Sequence, residues 1–260
     1  MIDQRVALVT GSSRGIGRAV LERLATNHAC VVHYRRDDGA AAEVAAGLRE
    51  RGVPVVVARA ELESGDDLDA LVDTVVEHFG RLDTVVANAA AGAFRPVVSS
   101  ERHHVSRTFE TVVGSFVHLA RCAMPLLGPD GRVVAIGGLD ARMAQPGHGL
   151  LGAAKAAMEA LTRSLAVELG PRGVTVNTVV PGPIATDSLD VYLQGRDDLR
   201  DLLVRHTPIG RLATPRDVAE IVAFLCSPAA AAVTGQVITV DGGLSAQGGP
   251  WHDLEEVQRT

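Results

Sequence analysis

The sequence predicts a single α/β domain built on a doubly wound parallel sheet, and three observations predict it. Short β-branched runs alternate with stretches of helical periodicity, the connections are long enough to hold crossover helices, and no polar low-complexity linker or fixed-period repeat divides the chain. With 260 residues, 47% hydrophobic and 22% charged, the chain can bury one large core, and general disorder is excluded.

The elements follow in order. VALVT (6–10) is the first strand and precedes an amphipathic stretch over about 15–27. CVVHY (30–34) is the second strand, followed by the helical AAAEVAAGLRERG. VPVVVA (53–58), LDTVVAN (82–88), GRVVAIG (131–137), GVTVNTVV (173–180) and GQVITVDG (235–242) read as further strands. Three regions interrupt the alternation. Residues 89–104 form a loop and helix start, and 183–212 read as a cover over the carboxyl ends of the strands, where ligands bind in such sheets. The domain is expected to span 1–243, with 244–260, including Trp251, as a C-terminal tail.

Composition excludes several classes. A formal charge of −6 leaves no basic footprint for nucleic acid. Cys30, Cys122 and Cys226 lie far apart with apolar flanks and read as three reduced, buried thiols. The nine histidines form no ligand pattern, so no metal is expected. There is no signal-peptide pattern and no apolar run of membrane-spanning length, so a cytoplasmic protein is expected.

In VALVTGSSRGIGRAV, Gly11, Gly15 and Gly17 follow a strand and open a helix. Glycine permits the tight turn and lets phosphate approach the backbone, while the helix N-terminus offers unpaired N–H groups; this predicts a dinucleotide site. At the end of the second strand, Tyr34, Arg35 and Arg36 stand where an acid for a ribose diol is usual. With Arg14 in the loop they favour NADP(H) over NAD(H), because the guanidinium fork suits a ribose phosphate. The alternative is that Arg35 and Arg36 pair with Asp37 and Asp38 on a solvated face.

By these stretches the chain resembles the short-chain dehydrogenase/reductase family, especially its 3-oxoacyl-carrier-protein-reductase-like members. TGSSRGIG (10–17), DTVVANAA (83–90), GRVVAIGG (131–138), LLGAAKAA, NTVVPGPIAT (177–186), RLATPRDVAEIVAFLCSP (211–228) and TGQVITVDGG (234–243) carry the resemblance. It implies an extended Rossmann sheet of seven strands, a small-molecule substrate, and assembly as a homodimer or homotetramer. It also implies that Gly11, Arg14, Gly15, Ile16 and Gly17 surround the cofactor phosphates and ribose. Glu61 and Leu62 would lie near adenine, Asn88 at the end of the fourth strand, and Pro181, Gly182, Ile184 and Thr186 along the nicotinamide end. Ala90 replaces a family glycine.

The resemblance also locates a departure. Family members use a tyrosine, a lysine four residues later, a serine and usually an asparagine; the lysine lowers the phenol's pKa from about 10 and holds the ribose. Lys155, the only lysine in the chain, is present. Leu151 stands at the tyrosine position, Gly138 at the serine position and Thr111 at the asparagine position. Leucine has no exchangeable proton. Among side chains that could replace the phenol, His148 lies three residues before Leu151, with Asp140 just beyond Gly138; His206, His103 and His104 are further candidates. Asp140 with His148 is half of an acyl-transfer arrangement that no nearby serine or cysteine completes.

Three functions stay open. One is an NADP(H)-dependent oxidoreductase of secondary metabolism acting on an activated or polycyclic small molecule. The second is a non-redox cyclase, isomerase or dehydratase whose pocket is widened by Gly137 and Gly138. The third is a catalytically inactive cofactor-binding partner.

Overall fold

The computed structural model describes residues 3–89 and 94–247. Ala90 and the tail with Trp251 lie outside the described residues. The seven predicted strands form: β1 (Arg5–Val9), β2 (His28–Tyr34), β3 (Val55–Arg59), β4 (Thr84–Ala87), β5 (Arg132–Ile136), β6 (Thr175–Pro181) and β7 (Val237–Val240). All neighbours pair in parallel, in the order β3-β2-β1-β4-β5-β6-β7.

Alternation of side chains along each strand feeds two apolar layers. Val6 and Leu8 of β1 face one side, with Leu71 and Phe79 of α3 (Gly65–Phe79) and Met158 and Leu169 of α6 (Gly149–Leu169). Ala7 and Val9 face the other, with Val20 and Leu21 of α1 (Gly15–Leu24), Leu48 of α2 (Asp38–Glu50) and Val222 of α9 (Pro215–Leu225). The two-sided burial explains why the strands read as near-continuous apolar runs.

Helix ends follow local chemistry. Ser64 caps α3 by accepting from Asp67 N–H, and Gly80 ends it in the left-handed region. Thr214 and Asp217 cap α9 reciprocally ahead of Pro215. Between β4 and β5 runs a continuous helical stretch, α4 (Arg102–Phe109) and α5 (Ser115–Ala123), with a π-helical turn at Glu110–Gly114 between them.

The expected cover, 183–212, contains two short helices, α7 (Asp187–Leu193) and α8 (Asp197–Arg205). Its base is pinned by a parallel bridge between Ile184 and Ala213. No helix among the described residues is long and apolar enough to cross a membrane. Two expectations need correction. Cys122 is only half-buried, because it faces α3 and donates its thiol proton to Asp69 Oδ1 (3.0 Å), while Cys30 and Cys226 are buried. Gly137 and Gly138 do not widen a pocket: a Cβ on Gly137 would meet Val180 Cγ2 at 2.8 Å, and one on Gly138 would collide with Asp140 Oδ1.

Candidate active site

The sheet order reverses between β1 and β4, and the site lies beyond their carboxyl ends. There a cavity of about 610 Å3 is lined by Gly11, Arg14, Gly15, Ile16, Gly17, Tyr34, Arg35, Arg36, Leu62, Glu63, Asn88, Thr111 and Thr186, among others. Most of the residues expected at the phosphate, ribose and adenine positions are therefore brought together.

The loop that opens it is built for close approach. Gly11 (φ +65°) and Gly15 (φ +57°) adopt left-handed backbone. A Cβ on Gly17 would collide with the Gly11 carbonyl and come within 2.5 Å of Asn88 Nδ2, whereas one on Gly15 would meet nothing within 4 Å. Arg14 precedes α1 without capping it, and the first turn holds no acid, so the helix N-terminus is free for an anion. Such a cradle fits a dinucleotide pyrophosphate.

His33, which the sequence reading missed, holds this loop in place. Its Nδ1 accepts from Gly11 N–H (2.8 Å), and its Nε2 pairs with the Ala60 carbonyl (3.2 Å), so the hydrogen bonds select the neutral Nε2–H tautomer. Burial pushes its pKa down to about 4. A histidine between valines and Tyr34 on a buried strand was the available signal. Thr10 was missed as well: its hydroxyl accepts from the N–H groups of Asn88 (2.9 Å) and Ala89 (3.0 Å), while Asn88 Nδ2 donates to Thr10 O (2.8 Å).

The cationic end differs in detail from expectation. Arg35 is paired with Glu61 (2.8 Å) and more loosely with Glu63 (3.6 Å), not with the adjacent aspartates. Asp37 instead caps α2 through Ala40 N–H. Glu61 is thus turned to Arg35 and does not line the cavity, where Leu62 and Glu63 do. Arg14 and Arg36 line it and form no ion pair among the described residues. At the far end Thr186 lines the cavity, but Pro181, Gly182 and Ile184 do not. Ile184 packs into the core, and Gly182 makes room for Asp241, whose Cβ would lie 2.6 Å from an added one.

Lys155 is 5% exposed, and its ammonium donates to the Ile136 carbonyl (2.6 Å). Burial lowers its pKa to about 8, against the stabilising charge of Asp140. Leu151 packs against the first apolar layer. Thr111 sits in the π-helical turn and commits its hydroxyl proton to the Arg107 carbonyl (2.8 Å). Beside Lys155, Asp140 Oδ2 meets His148 Nδ1 at 3.3 Å, with side-chain exposures of 7% and 14%. The ring of Phe94 (4.7 Å) and that of Tyr192 (5.4 Å) cover His148. His206 bonds its own helix at Leu202 O, and His103 stacks on His104 on the surface beside Glu101, so neither group joins the site. Among the described residues one metal-type cluster, Asp69, His118 and Cys122, lies on α3 and α5, and Arg121 already contacts the same carboxylate oxygen.

Comparison with known proteins agrees with this geometry. The family model described as enoyl-(acyl carrier protein) reductase matches residues 11–245. The 1-cyclohexenylcarbonyl-CoA reductase of Streptomyces collinus is 37% identical over 251 residues, covering 95% of this chain and 89% of that protein. The hydroxynaphthalene reductase of Aspergillus fumigatus is 33% identical, covering 90% of each. The crystal structure of the angucycline C-6 ketoreductase LanV with bound NADP superposes with a TM-score of 0.87 at 31% identity, over 94% of this chain and 96% of that one. A parallel seven-stranded sheet with a glycine-rich cradle at its switch point defines a dinucleotide-binding α/β protein. The chain belongs to the short-chain dehydrogenase/reductase family and is an oxidoreductase.

Proposed function

We propose that this protein is an NADP(H)-dependent reductase of ring-bearing, conjugated carbonyl compounds of polyketide type, working without the family's phenol. The observation that carries this reading is the intact dinucleotide cavity beside a reaction end where Leu151 and Gly138 replace the phenol and hydroxyl. Relatives named for cyclohexenyl, hydroxynaphthalene and angucycline substrates support the substrate class.

When bound, the dinucleotide supplies the hydride. The N-terminal N–H groups of α1 hold its pyrophosphate, and Arg14 and Arg36 hold the 2′-phosphate. Lys155 keeps donors beyond its bond to Ile136 O for a ribose hydroxyl. Phe94, His148 and Tyr192, with ring centroids 4.7–6.2 Å apart, offer an aromatic wall for a planar ring. The free thiols among the described residues support a reducing compartment, and the family reading supports a homodimer or homotetramer in the cytoplasm.

The test is NADPH oxidation with product identification against cyclohex-2-enone, 2-tetralone, 1,4-naphthoquinone and an acyclic 3-oxoacyl thioester. Reduction of the ring compounds, with the acyclic thioester slower by about 10²-fold or more, is expected. Substrate conversion without NADPH consumption would establish non-redox chemistry instead. NADPH binding with no turnover of any compound would leave a cofactor-binding subunit.

A further inference from the structure

We propose that Asp140 and His148 form a dyad that replaces the missing phenol, with His148 Nε2 as the proton donor to the substrate carbonyl oxygen and Asp140 as its positioning residue. The inference rests on the reductase reading above and supplies the proton that reading lacks.

Four observations carry it. The first is the pair itself: Asp140 Oδ2 lies 3.3 Å from His148 Nδ1, which fixes the ring and turns Nε2 away from the carboxylate. The second is that Nε2 is buried with no hydrogen-bond partner among the described residues. A buried imidazole nitrogen left unpaired costs free energy that a substrate oxygen would recover.

The third is position. His148 is the N-cap of α6, three residues before Leu151 and seven before Lys155, so all three share one helical face. Side chains on a helix lean toward its N-terminus, so a tyrosine at 151 would carry its oxygen back over the turn where His148 stands. The imidazole therefore occupies the region the phenol would reach.

The fourth is the accommodation of Asp140. A Cβ on Gly138 would collide with Asp140 Oδ1, and a Cβ on Gly152 would collide with the Asp140 carbonyl oxygen. Gly138 is in extended backbone (φ −167°), so its conformation does not call for glycine; the carboxylate does. Loss of the serine thus leaves room for the Asp140 carboxylate in the position it takes beside His148.

The groups facing His148 are Asp140 from the β5–α6 segment, Tyr192 from α7, Phe94 from the loop after β4, and Lys155 behind Asp140. Arg95 reaches this region through its backbone, donating N–H to Gly147 O (2.9 Å). The balance of the step is simple. As the carbonyl carbon accepts hydride from NADPH, the π pair of the C=O bond moves to oxygen, and the oxygen takes the Nε2 proton. The N–H bond breaks, the O–H bond forms, and NADPH leaves as NADP⁺. His148 becomes neutral with Nδ1–H still on Asp140, and water reprotonates Nε2. In a conjugated enone, hydride adds at the β-carbon and the same proton goes to the enolate oxygen.

The experiment uses the full chain and the fastest ring compound of the panel. His148→Gln should lower kcat by about 10²–10⁴-fold with NADPH affinity unchanged, and should change the pH profile of kcat. Asp140→Asn, which keeps shape but removes charge, should lower kcat by about 10–100-fold. Gly138→Ser restores the family residue yet should slow the reaction, by displacing the carboxylate. In cofactor-free protein, NMR should show a slowly exchanging His148 Nδ1 proton that disappears in Gly138→Ser. Parental kcat and pH profile in His148→Gln, or faster reduction by Gly138→Ser, would overturn the dyad while leaving the reductase reading intact. Failure of the parent protein to oxidise NADPH with any panel compound would remove both.

Discussion

Acidification should unlock the fold through two buried histidines before any carboxylate matters. His28 is 3% exposed, its Nδ1 against Leu24 O (3.1 Å) and its Nε2 against Thr84 Oγ1 (3.2 Å); His33 is 1% exposed between Gly11 and Ala60. Burial pushes the pKa of each from 6.5 to about 4. Above pH 6.5 both are neutral folded or unfolded and contribute no pH dependence. Between about 6.5 and 4 the unfolded chain binds these protons and the native chain does not, so stability falls as pH falls. At about 1.4 kcal/mol per unit, 2.5 units give about 3.4 kcal/mol for each ring and about 7 kcal/mol together. Total stabilities are about 5–15 kcal/mol, so this is a large share. The carboxyls of Asp67, Asp69, Asp198 and Asp241 are held below their ordinary range, so their contributions disappear only at lower pH. Urea unfolding followed by circular dichroism from about pH 7 to about pH 4.5 should show the loss, and His28→Gln and His33→Gln should each remove about half of the slope. NADPH affinity should hold across this window and fall only toward pH 4, where the folded chain itself protonates His33, because an imidazolium there has no lone pair for Gly11 N–H. Stability flat across this window, or an undiminished slope in the double variant, would refute the reasoning.

Two further predictions concern the cofactor and are read by calorimetry. Lys155→Ala should weaken NADPH binding, and Lys155→Arg should recover only part of it, since a guanidinium keeps the charge but differs in reach and bulk; parental affinity in the alanine variant would show that the ammonium does not touch the ribose. Arg36→Ala should narrow the preference for NADPH over NADH by about tenfold, while Glu61→Gln should widen it by releasing Arg35; equal preference in both variants would place the 2′-phosphate elsewhere.

The strands were legible because burial on both faces forces apolar runs, and the glycine loop was legible because strand, turn and helix occur in that order. What escaped the reading was set by register. For Arg35 the sequence pointed to a ribose phosphate, with pairing to Asp37 and Asp38, its neighbours in sequence, as the alternative. The β2–β3 ladder puts Tyr34 opposite Arg59, so the chain leaving β3 carries Glu61 to the guanidinium instead. His33 escaped for a similar reason: its two partners lie on the glycine loop and on the chain just past β3, and a single strand does not show either. At the reaction end the residue types were visible, but the collision between Asp140 and a side chain at 138 exists only in three dimensions.

Two glycines at that end meet Asp140: a Cβ on Gly138 would strike its carboxylate oxygen Oδ1, and one on Gly152 would strike its main-chain carbonyl. The turn around His148 has the same character. Gly147 (φ +79°) sends its carbonyl to Arg95 N–H, and Gly149 lets Val97 close against the start of α6, since a Cβ there would strike Val97 Cγ2. These contacts tie the segment after Phe94 to the start of α6, and the Phe94 ring lies 4.7 Å from that of His148. The electrostatics then follow from position. Asp140 Oδ2 lies 3.3 Å from His148 Nδ1, and its charge favours the buried ammonium of Lys155 behind it. The chain thus places its single lysine, a compact ammonium, at a position 5% exposed between the Ile136 carbonyl and that carboxylate, and uses arginine at every other strongly basic position.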